Sequence, residues 1–351
     1  MAQSQRRRRS SGPRHRKRLV ALVGICVTLA AGVSCAAQPS KSAGTLGTSF
    51  KRLYAAKSAF NRPIPAGAAL DPRSDAYVAT LADVGGSHGL FVALRRWTVP
   101  VYYASASTPR TDVRLTASWR VADWMLRVPI PGNAAPDPSS DGHMTILDRA
   151  TGCEFDFYQA RHENGGWSAG WGNSLRLAGK GVYPHGFSAR GSGFANLAGV
   201  IWPKELRAGT IKHALMFSYP YTSSRGAVGP ATETDGESTD ADALPEGARL
   251  QLDPHLDLRK LGLSPAAYTI GRALQRYGMY LGDTGGSVSL YAVNRQSYAG
   301  NPYKGFSAGA YGDLGKIPLN RFRVLRLGPV RSPSSLQSRA RLVRSGCGRL
   351  R

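Results

Sequence analysis

The stretch Asp141–Gln159 (DGHMTILDRATGCEFDFYQ) concentrates side chains able to move protons. Glu154 and Asp156 stand two residues apart, with His143 upstream and Tyr158 two residues further on. In an extended strand, side chains at i and i+2 leave the same face ~6–7 Å apart. Carboxyl groups so spaced approach the ~5–5.5 Å separation of retaining glycoside hydrolysis. Mutual repulsion would keep a proton on one of them, giving a general acid beside an ionised partner. His143, Glu154, Asp156 and Tyr158 are therefore the candidate catalytic residues. Glu154 and Asp156 are assigned as acid/base or nucleophile, and His143 and Tyr158 as assistants in proton transfer.

The element that must position them is a hairpin. Residues 149–152 (RATG) read as its loop, so Asp148 faces Cys153, Leu147 faces Glu154, and Thr145 faces Asp156. Alternation then puts Met144, Ile146, Phe155 and Phe157 on one face, which becomes core. His143, Thr145, Glu154, Asp156 and Tyr158 share the other face, which is expected to lie open as a working surface. The competing reading is a solvated sheet face whose acids pair with arginines. The Glu-x-Asp pattern resembles the catalytic strand of concanavalin A-like glucanases. There a second Glu follows at i+4; here Tyr158 takes that place, which removes the expected proton donor, so the assignment is not transferred.

Downstream, Trp167, Trp171, Asn173 and His185 lie in a glycine-rich stretch and form the candidate ligand-binding group. Indole faces stack on sugar rings and amides bond to hydroxyls. The alternative is that both tryptophans close a core. Gly191-Ser192-Gly193 lacks the frame of a nucleophile elbow and reads as a turn. Gly282-Asp283-Thr284-Gly285-Gly286 resembles the Asp-Thr-Gly of aspartic proteases, which need two copies; with one copy it also reads as a turn.

Short β-branched or alternating runs recur from Trp97 to Val293, separated by Gly, Pro, Asp and Asn, within a chain holding 41 Gly and 22 Pro. This pattern predicts a mainly β fold, sandwich- or jelly-roll-like antiparallel sheets with two or three short helices. One helix is expected over Asp71–Asp83. Another begins at Ser264 as N-cap with Pro265 at its first position, and Gly278 stops it. Tyr221–Gly247 is a long acidic loop, read as solvated; its acids could collect Ca²⁺, but no 12-residue Ca²⁺ loop is present. No CxxC or paired-His spacing supports a metal, so no cofactor is expected.

The chain carries 46 Lys+Arg against 22 Asp+Glu, a net charge of +24. Eight of the excess charges fall in residues 1–18 and six in 331–351, flanks that hold no acid. Charge in two flanks, rather than on a folded surface interleaved with aromatics, argues against nucleic-acid binding. The first flank runs into Leu19–Ala37, nineteen uncharged residues ending in small side chains. A basic start, an apolar stretch and small closing residues predict export. Three fates follow: cleavage near Ala36, retention as a transmembrane signal anchor, or lipidation at Cys35 through an imperfect lipobox. The expected divisions are 1–37 as signal, 38–58 as linker, 59–330 as one β-rich domain and 331–351 as an Arg-rich tail. Outside the signal the cysteines are Cys153 and Cys347, which in an oxidising compartment are expected to pair.

Asp141–Met144 with Glu154-x-Asp156, His213-Ala214-Leu215, Gly247-Ala248-Arg249-Leu250-x-Leu252 and Ala273-Leu274-Gln275-x-Tyr277-Gly278-Met279 with Asp283 are similar, as a set, to a group of uncharacterised exported bacterial proteins. The resemblance spans roughly residues 59–300. It implies one continuous exported domain and brings no settled activity. The residues themselves lead to an exported carbohydrate-active protein of the cell envelope or extracellular space, a glycoside hydrolase or polysaccharide lyase if it is an enzyme. The alternative is a non-catalytic module, anchored as a lipoprotein or free, that binds glycan or wall polymer. The expected partner is a polysaccharide or cell-wall polymer, with the membrane contacted through an uncleaved or lipidated N-terminus.

Overall fold

The computed structural model describes residues 52–86, 88–117, 125–336 and 347. The signal segment, Cys35, most of the linker and most of the Arg-rich tail lie outside the described residues. In chain order the strands are β1 (Phe91–Ala93), β2 (Val101–Ala104), β3 (Arg110–Leu115), β4 (Met125–Pro129), β5 (Met144–Asp148) and β6 (Cys153–Tyr158). They continue with β7 (Arg161–Glu163), β8 (Gly166–Ala169), β9 (Trp171–Arg176), β10 (Leu215–Tyr219) and β11 (Arg249–Leu252). The last are β12 (Met279–Thr284), β13 (Ser289–Tyr291), β14 (Tyr311–Asp313) and β15 (Phe322–Val324). The helices are α1 (Ser74–Gly85), α2 (Pro203–Arg207), α3 (Pro265–Arg276) and α4 (Pro333–Leu336). The protein is mainly β and sandwich-like.

A seven-stranded sheet runs β14-β1-β13-β10-β12-β11-β15, and two four-stranded sheets run β2-β5-β6-β9 and β4-β3-β8-β7. The sheets are mixed rather than purely antiparallel: β10 and β12 are parallel, as are β1 and β13, β2 and β5, and β3 and β8. Helix α3 lies between β11 and β12 in the chain. The Ser264 hydroxyl accepts from the Ala267 amide at 3.2 Å, and Gly278 follows with φ +67°, a conformation natural to glycine after a helix. Its Ile270 and Leu274 are fully buried against the seven-stranded sheet, among Leu250, Met279 and Leu281.

Strands β5 and β6 pair in the register read from the sequence, with Leu147 opposite Glu154, Thr145 opposite Asp156 and Asp148 opposite Cys153. Met144, Ile146, Phe155 and Phe157 are 0% exposed and belong to a second core. Tyr54 and Ser58, expected in the linker, are buried parts of the fold. Arg331, expected in the tail, pairs with Ala227. Cys153 and Cys347 form a disulfide, with S–S 2.05 Å and a sequence separation of 194. Among the described residues, no helix is long and apolar enough to cross a membrane.

Candidate functional site

The expectation that the polar face of the hairpin lies open is overturned. Strand β6 sits inside its sheet, and a second layer of chain covers the face opposite the oily core. Glu154 and Asp156 are both 0% exposed. The Tyr54 hydroxyl donates to Glu154 Oε2 at 2.8 Å, and the Leu197 amide donates to Oε1 at 3.1 Å. Asp156 accepts from Thr145 Oγ1 at 2.7 Å, Tyr183 OH at 3.0 Å and the Asn196 amide at 3.0 Å. Segments 52–61 and 181–202 thus seal the pair. Burial, then the neighbouring Asp156 charge, pushes the Glu154 carboxyl well above the usual carboxylate range. Burial also raises Asp156, while donation from Thr145 and the Asn196 amide opposes the rise. Glu154 therefore keeps a proton and the pair carries one charge between them.

His143 is also buried, with Nδ1 3.1 Å from the Phe157 carbonyl. Burial and the charge of Arg190 push its pKa down to about 3, so the imidazole is neutral throughout the physiological range. Of the four expected catalytic residues, Tyr158 alone is partly exposed, and its surroundings lead elsewhere. Its phenol is raised by burial and then by Asp141, Asp283 and Asp235.

Those three acids, with Glu246 and Arg190, make a second cluster assembled from distant segments. Asp283 is the penultimate residue of β12 and Asp141 precedes β5. Asp235 and Glu246 come from the long acidic loop. That loop is not a solvated excursion: Thr222, Ala227, Val228, Ala231 and Leu244 are buried, and the Thr232 amide bonds to the Ser192 carbonyl at 2.9 Å. Gly191 and Gly193 allow the close approach. A Cβ on Gly191 would sit 2.2 Å from Asp235 Oδ2, and one on Gly193, where φ is +82°, 1.9 Å from Thr232 Oγ1. The Gly193 amide bonds to the Arg190 carbonyl at 3.0 Å, so the turn reading of 191–193 holds, and the Ser192 hydroxyl ties the turn to the Gly282 carbonyl at 2.7 Å.

The Arg190 side chain is 0% exposed. Its Nη1 donates to Asp283 Oδ2 at 2.9 Å, its Nη2 to the Asn196 carbonyl at 3.2 Å, and its guanidinium lies 4.7 Å from the Tyr291 ring centroid. Tyr291 OH also donates to Asp283 Oδ2, at 3.1 Å. The Asp283 side chain is 15% exposed, and burial, opposed by Arg190 and helped by Asp235 and Asp141, pushes it up to about 7. Behind them Glu246 is fully buried and accepts from the Asp235 amide at 3.2 Å; burial and then Asp235 hold it well above the carboxylate range. Arg190 Nε and Glu246 Oε1 have no hydrogen-bond partner among the described residues. Asp141 is half-buried and Asp235 exposed, so the cluster grades from interior to surface.

The expected sugar platform does not assemble. Trp171 is 2% exposed within the core. Asn173 is buried, its Nδ2 donating to the Phe187 carbonyl at 3.1 Å. Trp167 is half-buried and stacked on His162, with centroids 4.6 Å apart. His185 is half-buried beside the acidic loop, Nδ1 3.2 Å from the Thr232 carbonyl. Among the described residues no group of three His, Cys, Asp or Glu is placed to hold a metal. Arg190 already occupies the cation's position among the acids. A cavity of 290 Å³ lies beside α3, lined by Tyr268, Arg272 and Gln275 among others, and none of these acids lines it.

Arg190, Asp235, Asp283 and Tyr291 were not assigned from sequence. Asp283 was visible as a motif and Asp235 as part of an acidic run, but pairing four segments through Arg190 needs the tertiary fold. No protein-family model, curated protein or solved structure matches the chain.

Proposed function

We propose that the protein is an exported carbohydrate-active enzyme, a glycoside hydrolase or polysaccharide lyase, working at the cluster of Asp141, Tyr158, Arg190, Asp235 and Asp283. The observation that carries this reading is Asp283, a carboxyl poised to hold a proton near neutral pH at the end of a central strand. A general acid is most effective when its pKa lies near the working pH. More exposed acids beside it supply the ionised partner that glycosidic cleavage needs. Asp283 is the acid, Asp141 or Asp235 the base or nucleophile, and Arg190 with Tyr291 fixes the Asp283 carboxyl through Oδ2. The location at a strand's carboxyl end, beside a parallel neighbour, suits a ligand site. The disulfide fits an oxidising compartment and so supports export.

The test is a panel of plant and bacterial polysaccharides, scored for both products and retention. Turnover lost in Asp283→Asn with the fold intact supports the assignment. Full turnover in that variant rejects it. Retention without products would favour the non-catalytic module, for which the half-exposed Trp167–His162 stack offers a binding surface.

A further inference from the structure

The end of the β5–β6 hairpin opposite the acid cluster is strongly basic. Four segments meet there. Ala104 pairs with Asp148, and Cys153 with Arg176. The Arg149 amide bonds to the Ala104 carbonyl at 3.1 Å, and the Leu177 amide to the Gly152 carbonyl at 3.0 Å. The Ala55 amide bonds to the Gly179 carbonyl at 2.8 Å, and Ser58 Oγ to the Lys180 carbonyl at 2.7 Å. Residues 52–58, 104–110, 148–154 and 176–180 therefore form one end of the sheet. They hold Arg52, Lys57, Arg110, Arg149, Arg176 and Lys180, all exposed. Their acids are Asp148 and Glu154, both buried, the first against Arg110 at 2.7 Å and the second protonated. Within these four segments every exposed charge is a cation; the neighbouring Asp112, two residues beyond Arg110, is exposed and paired with Arg127 at 3.4 Å.

The disulfide adds to this charge. Cys347 is bonded to Cys153 at this same end, which ties the sequence bearing Arg341, Arg344, Arg349 and Arg351 to it. The chain also enters the fold here, at Arg52, fifteen residues after Ala37 closes the apolar stretch. Even fully extended, fifteen residues span only about 50 Å.

We propose that this basic end is a docking surface for a bilayer rich in anionic lipid headgroups. Each Lys or Arg near such a surface adds to binding, and salt weakens the effect. Docking in this way turns the Asp141–Asp283 cluster, about 20 Å further along the hairpin, away from the membrane toward a polymer substrate. The charge argument stands without the catalytic reading; the reach argument rests on that one of the three expected fates in which Leu19–Ala37 is retained as a signal anchor.

The full chain is mixed with vesicles of phosphatidylcholine alone or with about one third phosphatidylglycerol, and amide exchange is followed over 104–110, 148–154 and 176–180. Protection confined to the anionic vesicles is expected, reduced at least tenfold in high salt and in Arg149→Gln/Arg176→Gln/Lys180→Gln. Equal exchange in both vesicles, or protection in the triple variant at the wild-type level, overturns the proposal. Protection by soluble polyphosphate but not by anionic vesicles also overturns it, in favour of a wall polyanion. Sedimentation with the neutral vesicles reports separately on Leu19–Ala37. The variant's melting transition checks its fold, and its turnover stays unchanged if the catalytic reading is right.

Discussion

Glu154 and Asp156 have no contact with solvent, whereas Asp141, Asp235 and Asp283 pass from half-buried to exposed around a buried arginine. Both groups have raised carboxyl pKa values, and burial is the first cause in each. The difference lies in what answers the burial. The sealed pair is answered by hydroxyls and amides that occupy every approach, so its proton has nowhere to go. Asp283 is answered by Arg190 and Tyr291 on one oxygen, and its side chain keeps 15% exposure. A perturbed carboxyl is therefore a poor guide to chemistry until its access is known.

The largest expected effect is on the sealed side. Cys347→Ser, measured by denaturant unfolding, should cost about 5 kcal/mol from the freed loop, while turnover in the surviving folded fraction persists. Next, Glu154→Ala should cost about 3–4 kcal/mol, since it strands the Tyr54 hydroxyl and the Leu197 amide and leaves a void. Glu154→Gln should cost under about 1 kcal/mol, because a neutral group already sits there. A large loss for the Gln variant would show that Glu154 is needed as an anion.

On the open side, Asp283→Asn should lower turnover by about 10²–10⁴, with a melting temperature within about 4 °C of wild type. If Glu154→Gln abolishes turnover and Asp283→Asn does not, the roles of the two clusters are reversed.

The pH dependence separates the groups further. The folded protein retains the Glu154 proton that the unfolded chain releases above its ordinary pKa of 4.5. Stability from this group is therefore fullest at low pH and falls as pH rises toward the folded-state pKa. Thermal melts of Glu154→Gln should lack that slope. His143 acts in the opposite sense: with its pKa lowered from 6.5 to about 3, its contribution is full above 6.5 and declines as pH falls toward 3. The smallest expected effect, where Asp235 is the base or nucleophile, is that of Asp141→Asn; loss of turnover comparable to Asp283→Asn would instead give Asp141 that role. Removing a charge that raises Asp283 should move the basic limb of the pH–rate profile to lower pH; an unmoved limb would separate Asp141 from the acid.

The hairpin was legible from alternation alone, down to Asp148 opposite Cys153, because period-two patterning and a four-residue bend fix a register. Helix α3 was legible from Ser264, Pro265 and Gly278, and the disulfide from the cysteine count together with the expectation of export. The openness of the polar face was not. Thr145, Glu154 and Asp156 look like a solvent face by type, and nothing local announces that Tyr54, Tyr183 and the amides of 196–197 will cover them. Likewise Gly282–Gly286 reads as a turn in isolation; only Arg190, nearly a hundred residues earlier, makes its aspartate unusual.

By itself the sequence determined the β-rich class, the strand pairing of residues 144–158 and the cysteine link, since each follows from periodicity, short-range geometry or simple counting. The tertiary structure decided which carboxyls meet water and which share a guanidinium. Burial and charge coupling depend on segments brought together across hundreds of residues, and strand periodicity records two faces without saying what will be laid over either.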